Sequence, residues 1–175
     1  MFEIKMDSSR VEQALIQLKT KMTTGRRAVM SEIGEYLQDA VIQRFERSEG
    51  PDGQKWAANS ESTIAGVLSQ SKGNYKKKGG LTSKGQKRAG NKKPLIGPTK
   101  QLKNINYDAT EDDVEVGSSR IYSRVQQFGA KQGEFGRTKR NGPIPWGDIP
   151  ARSYLGFSDD DESMILDILK NYLEP

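Results

Sequence analysis

Residues 102–117, LKNINYDATEDDVEVG, decide the fold class. Ile105, Tyr107 and Ala109 fall on one side of an alternating run, with Asn104, Asn106 and Asp108 on the other. Successive side chains of a strand point to opposite faces, so a period of two with one apolar side predicts a half-buried strand. Glu111, Asp112 and Asp113 make a polar turn, after which Val114 and Val116 give a second short strand ending at Gly117. The pair reads as a β-hairpin whose connection is longer than the two-residue type.

Outward from the hairpin the period changes to that of helices. Val11, Leu15, Leu18 and Met22 recur at spacings of four, three and four, which predicts a helix from Ser8 or Ser9 to Met22, one of those serines supplying the N-cap. Val29, Ile33, Tyr36, Leu37, Ala40, Val41 and Phe45 form a broad apolar stripe over residues 26–45, a second helix. A short helix is expected at 60–68, where Ile64 and Leu68 are four apart, and another at 120–128, stopped by Gly129. The last helix begins at Ser158, which with Asp161 fits a capping box, and its predicted buried face holds Met164, Ile165, Ile168, Leu169, Tyr172 and Leu173. The order α-α-loop-β-β-α-β-α, with a further strand before the last helix, predicts an α+β domain. Its N-terminal helices and C-terminal helix pack on a small antiparallel sheet.

At 175 residues the chain fits one domain, 1–175. Only 33% of residues are hydrophobic and the mean hydropathy is −0.79, which predicts a modest core with long polar excursions. The net charge of +5 is uneven. Between 71 and 93 lie nine basic residues and no acidic one: Lys72, Lys76, Lys77, Lys78, Lys84, Lys87, Arg88, Lys92 and Lys93; removing nine from +5 leaves −4 for the rest. Residues 66–98 show no sustained period and are expected to be a long, mobile basic loop. A second polar loop covers 130–142 and carries Arg137, Lys139 and Arg140.

These residues exclude most catalytic chemistry. There is no histidine and no cysteine, which removes the commonest general base, the usual metal ligand, thiolate zinc sites and disulfides. Asp159, Asp160, Asp161 and Glu162 are dense, but neighbours on a helix point about 100° apart and cannot all converge on one ion. Acidic residues in a first turn instead complement the helix dipole. The run from Gly73 to Gly80 lacks the spacing of a phosphate-cradling loop. The chain is therefore expected to be no enzyme and to need no cofactor or metal. It has no apolar run long enough to span a bilayer and no signal peptide at its N-terminus, so a soluble protein made in a cytoplasm is expected.

Three function classes are weighed: a protein that assembles with others, a basic nucleic-acid-binding module that uses the Lys-rich segment, and a carboxylate-dependent enzyme such as a metal-assisted hydrolase, for which the sequence shows no set of inward-facing carboxylates from different elements. Against the second, Tyr75 is the only aromatic in that segment, so no stacking ladder is present. Trp56, Trp146 and Phe135 sit in loops, as core plugs or interface anchors, and Trp56 is assigned to the core.

Several separated pieces carry a resemblance. Phe45 with Gly50-Pro51-Asp52-Gly53-Gln54-Lys55-Trp56, then Thr63, is one; Pro94-Leu95 leading to Leu102 is another. Val114-Glu115-Val116-Gly117-Ser118, Ile121-Tyr122 leading to Gln127-Phe128-Gly129, and Ile149-Pro150-Ala151-Arg152-Ser153-Tyr154-Leu155-Gly156 follow in order. Together they resemble the phage virion-morphogenesis family, the tail-completion proteins of Mu-like and related phages. Gln126 stands where many members have histidine, Ser153 where proline is usual, and Pro98-Thr99-Lys100 lacks the glycine of a Thr-Gly pair.

The resemblance implies a non-enzymatic part that finishes the tail or helps join it to the head. It would touch its own copies and neighbouring tail or neck proteins, first in the host bacterial cytoplasm and then in the virion. A ring with the tail's symmetry, a hexamer, is the expected form. The candidate partner-binding residues are Lys76, Lys77, Lys78, Lys84, Lys87, Arg88, Lys92, Lys93, Arg137, Lys139 and Arg140. Trp56, Phe128, Gly129, Pro150 and Arg152 are assigned structural roles. In residues 149–157, Pro150 fixes an extended entry, Gly156 permits a bend, and the Arg152 fork suits a carboxylate.

Overall fold

The computed structural model describes residues 13, 16, 17, 19–21, 24–97, 99 and 101–174. The order of elements is α1 (Arg26–Arg47), α2 (Glu61–Ser69), α3 (Ser83–Gly90), a 3₁₀ turn (Gln101–Lys103), β1 (Asn106–Ala109), β2 (Val114–Gly117), α4 (Ser123–Phe128) and α5 (Asp159–Leu173). The fold is α+β. Most of the helix expected before Met22, with its serine cap, lies outside the described residues; Gln13, Ile16, Gln17, Lys19, Thr20 and Lys21 are helical. The chain divides into two compact units, the first Met1–Ala40, Asn106–Gly117 and Phe157–Pro175, the second Val41–Ile105 and Ser118–Gly156.

Unit one is built as the periodicities predict. Val29, Ile33 and Leu37, four apart on α1, are buried with Ile168 of α5, and Val114, Val116, Ile165, Leu169 and Tyr172 pack around them. Burying side chains of this size contributes roughly 1.5–3 kcal/mol each. The hairpin pairs antiparallel, Asn106 with Gly117 through Ala109 with Val114, which leaves a four-residue turn at 110–113. The Thr110 hydroxyl closes that turn by accepting the Asp112 and Asp113 N–H groups at 3.2 and 3.1 Å. The Tyr107 ring lies where a side chain at position 34 would stand: a Cβ on Gly34 would be 2.4 Å from Tyr107 Cδ2. The capping box of α5 is present, Ser158 Oγ accepting the Asp161 N–H and Asp161 Oδ2 accepting the Ser158 N–H at 2.7 Å. Met164 and Leu173, assigned to the buried face, are exposed instead, Met164 at the edge of the stripe that Ile165, Ile168, Leu169 and Tyr172 fill and Leu173 about 140° around the helix from Ile168.

Unit two departs from the sequence reading in three places. The stretch 66–98 is not a structureless loop: it holds the end of α2, a β-bridge between Tyr75 and Leu81, and α3. Its organiser is polar. Asn74 is buried, and its amide donates to Leu68 O, Ser71 O and Ser71 Oγ at 2.7, 2.9 and 3.0 Å. The residues 130–142 are one half of a hairpin-like arm running to 149, tied by bridges from Ala130 to Ile149 and from Arg137 to Pro143.

The third departure is the strand expected before the last helix. The described sheet has two strands only, and Ile149 makes a single bridge. Pro143, Pro145 and Pro150 have no N–H to give a ladder. The N–H groups that follow are taken elsewhere: Arg152 N–H by Gln126 O, and those of Tyr154 and Leu155 by the Gln127 side chain.

Candidate functional site

The segment 149–156 is the hub of unit two, and its neighbours explain the separated sequence pieces. Phe45, at the end of α1, and Tyr154 are fully buried, their ring centroids 5.1 Å apart. Trp56 packs edge-on to Phe45 at 5.3 Å, and its indole Nε1 donates to Ser153 O at 2.9 Å. Burial raises the Tyr154 hydroxyl above its ordinary pKa, against a smaller opposing effect of the Ser123 side chain. Gly50-Pro51-Asp52-Gly53 is the turn that brings Trp56 back onto Phe45: Gly53 N–H donates to Gly50 O at 3.0 Å, and Gly53 has φ +72°.

Two buried arginines fasten the same segment. Arg44 donates to Tyr154 O and Gly156 O at 3.1 and 2.8 Å. Arg152 sends Nε to Ala57 O and an η nitrogen to Ala58 O, both at 2.9 Å. The fork of Arg152 thus reads two backbone carbonyls, not a carboxylate, and its desolvation lowers its pKa. Gln127 completes the hub: Oε1 accepts from Tyr154 and Leu155 N–H, and Nε2 donates to Leu155 O at 2.9 Å. Gly129 is required where α4 turns into the arm. Its φ is +75°, and a Cβ there would sit 2.7 Å from Ile149 O and 2.8 Å from Ala151 N.

Of the residues assigned structural roles, Trp56, Gly129 and Arg152 are built into this hub. Pro150 is exposed and borders a cleft. Phe128 is 71% exposed and so is not buried in the hub. Arg44, Gln127, Tyr154 and Asn74 were not singled out as site residues. Gln127 and Tyr154 lie inside the motifs quoted, but Arg44 and Asn74 carry no signal in a single sequence.

The basic residues divide into those spent internally and those displayed. Lys93 pairs with Glu46 at 3.2 Å and Lys103 pairs with the same carboxylate, which together hold Glu46 below its usual range, the Lys103 bond contributing most. Arg88 is half-buried and donates to Val67 O at 3.2 Å. Lys92 is half-buried beside a cleft of about 430 Å³ that Asn59, Thr63, Leu102, Gln126 and Arg152 also line, and burial lowers its pKa. Lys76, Lys77, Lys78, Lys84 and Lys87 are exposed. At the tip of the arm Lys139 and Arg140 are exposed, and Arg137 caps the turn through Asn141 O at 3.1 Å.

The arm is held by polar pins and displays aromatics. Asp148 accepts Gln132 N–H at 2.8 Å and pairs with Lys131 at 3.0 Å, contacts that keep its carboxyl below the ordinary value, the Gln132 bond first. Trp146 is 78% and Phe135 52% exposed. Among the described residues no group of three or more acidic side chains could hold a metal ion, and no helix is long and apolar enough to cross a membrane.

Trp56, Gln127, Gly129 and Arg152 are thus held in the hub, and surface cations and aromatics are displayed around it. The model of the phage virion morphogenesis family matches residues 6–174, and the chain belongs to that family, a family of virion assembly proteins. It is similar to the putative capsid assembly protein G of Escherichia phage Mu, 28% identical over 168 residues that cover 95% of this chain and 90% of the relative. No solved structure matches it.

Proposed function

We propose that the chain is a structural, non-catalytic part that completes the phage tail or helps join tail to head, through contacts with its own copies and with other tail or neck proteins. The observation that carries this reading is the division of labour in unit two. Trp56, Gln127 and Arg152, from three of the motif pieces, are held in the hub, while Lys76, Lys77, Lys78, Lys84, Lys87, Lys139 and Arg140 stay exposed. Such a surface suits docking to an acidic protein neighbour better than it suits any reaction. The unbroken family match supports use of the whole chain as one virion-morphogenesis domain, and the name of the Mu relative supports a role in assembly. The chain would act in the host bacterial cytoplasm during assembly and remain in the tail or neck, as a ring of copies.

Electron microscopy of lysates from phage lacking the gene tests the reading. Heads and tails accumulating apart, or tails of abnormal end structure, are expected. Complete infectious particles at normal yield would overturn it.

A further inference from the structure

Charge is partitioned between the two units far more sharply than along the sequence. Unit one carries 17 acidic and 7 basic residues, net −10; unit two carries 6 acidic and 21 basic, net +15, and the two return the chain's +5. Like units of two copies therefore repel, and unlike units attract. That sign pattern disfavours contact between matching units and favours contact of unit one of one copy with unit two of another.

Both units also display apolar groups within their charge. On α5 the face turned away from Ile168 carries Leu166, 56% exposed, and Leu173, 43% exposed. Glu162, Leu166 and Leu173 lie at i, i+4 and i+11, one stripe of the helix, with Asp159 one turn before Glu162 and Asp167 beside Leu166. Leucines on an acidic solvent face are not needed by their own core. In unit two the arm shows the complement: Trp146, Phe135 and Ile144 are exposed, and Arg137, Lys139 and Arg140 stand at its tip. Exposed aromatics beside arginines are the usual anchors of protein contacts.

Resting on the assembly reading above, we infer that the arm, residues 130–149, of one copy docks on the acidic outer face of α5 of a second copy. The occupant of each surface is thus this same chain. Trp146 and Phe135 cover Leu166 and Leu173, and Lys139 and Arg140 meet Asp159, Glu162 and Asp167. The arm is prepared for this by its internal pins, so little further ordering is needed on contact.

Sedimentation velocity of the purified full-length protein tests the inference. Association should rise with concentration at about 50 mM salt and weaken at least about tenfold at about 500 mM, where surface charges are screened. The variant Lys139→Glu, Arg140→Glu and the variant Glu162→Lys, Asp167→Lys should each stay monomeric while keeping the native circular dichroism and a cooperative melting transition. Mixed in equal amounts they should associate again, because each then offers the other an opposite surface. Trp146→Ala, at an exposed site, should weaken association without changing the fold. A monomeric wild type at low salt, or no recovery on mixing, overturns the inference. So does salt-sensitive retention of duplex DNA by a wild type that does not self-associate, which would assign the arm to nucleic acid. A monomeric protein whose null phage still fails to make particles would leave the assembly role standing without self-docking.

Discussion

Replacing Gln127 by methionine, nearly its equal in volume, removes polar contacts and little else. The Gln127 amide accepts from Tyr154 N–H at 2.9 Å and Leu155 N–H at 3.0 Å, and donates to Leu155 O at 2.9 Å. All three partners are backbone groups of the hub. Neutral hydrogen bonds contribute about 1 kcal/mol each, so Gln127→Met should cost about 3 kcal/mol. For a chain of this size that is a fall of about 6–12 °C in melting temperature. Urea denaturation should be followed by fluorescence in a Trp146→Phe background, so that Trp56 alone reports on the hub. A companion variant, Gln127→Glu, keeps both acceptors but sets an oxygen against Leu155 O. Protonation turns that oxygen into a donor, so this variant should lose less stability than wild type as the pH is lowered. A loss below about 1 kcal/mol for Gln127→Met would refute the view that this side chain takes the place of a missing strand partner.

Three further expectations follow from the same unit. Phe45→Ala removes the ring on which both Trp56 and Tyr154 pack and should cost about 3–5 kcal/mol, read from the same urea transition. Gly129→Ala combines a positive φ with contacts under 3 Å to Ile149 O and Ala151 N, so it should destabilise by at least about 2 kcal/mol; a neutral result would mean the arm can shift freely at its base. The carboxyl of Asp148 is held below its ordinary value in the folded chain, so its contribution is complete above the unfolded value of about 4 and is lost as pH falls through the lower folded one. Hydrogen exchange at Gln132 should therefore stay slow at neutral pH and quicken, relative to its intrinsic rate, only below about pH 4.

The parts of the fold that follow a period were legible in the sequence. Alternation at 105–109 located β1, and the four-residue spacing of Val29, Ile33 and Leu37 located the face of α1 that Ile168 covers. What lacked a period was missed for a physical reason. The order in 66–98 comes from the Asn74 amide and side-chain caps such as Thr82, which accept or donate locally and leave no apolar stripe. At 149–156 the family pattern was visible, but its chemistry was not. An arginine's fork is the same whether it meets a carboxylate or two carbonyls, and only the fold placed Ala57 O and Ala58 O before Arg152. Phe128 stands inside one of the quoted motifs, yet its ring is exposed.

Complementation of a gene-null phage tests the central claim most directly. The chain supplied in trans should carry glutamate at Lys76, Lys77, Lys78, Lys139 and Arg140, with an unchanged melting temperature as the control for folding. Wild type should restore plaques, and the charge-reversed chain should leave heads and tails unjoined and plating reduced by orders of magnitude. Full plating efficiency with the reversed chain would contradict the account, because assembly would then not run through the basic surface of unit two.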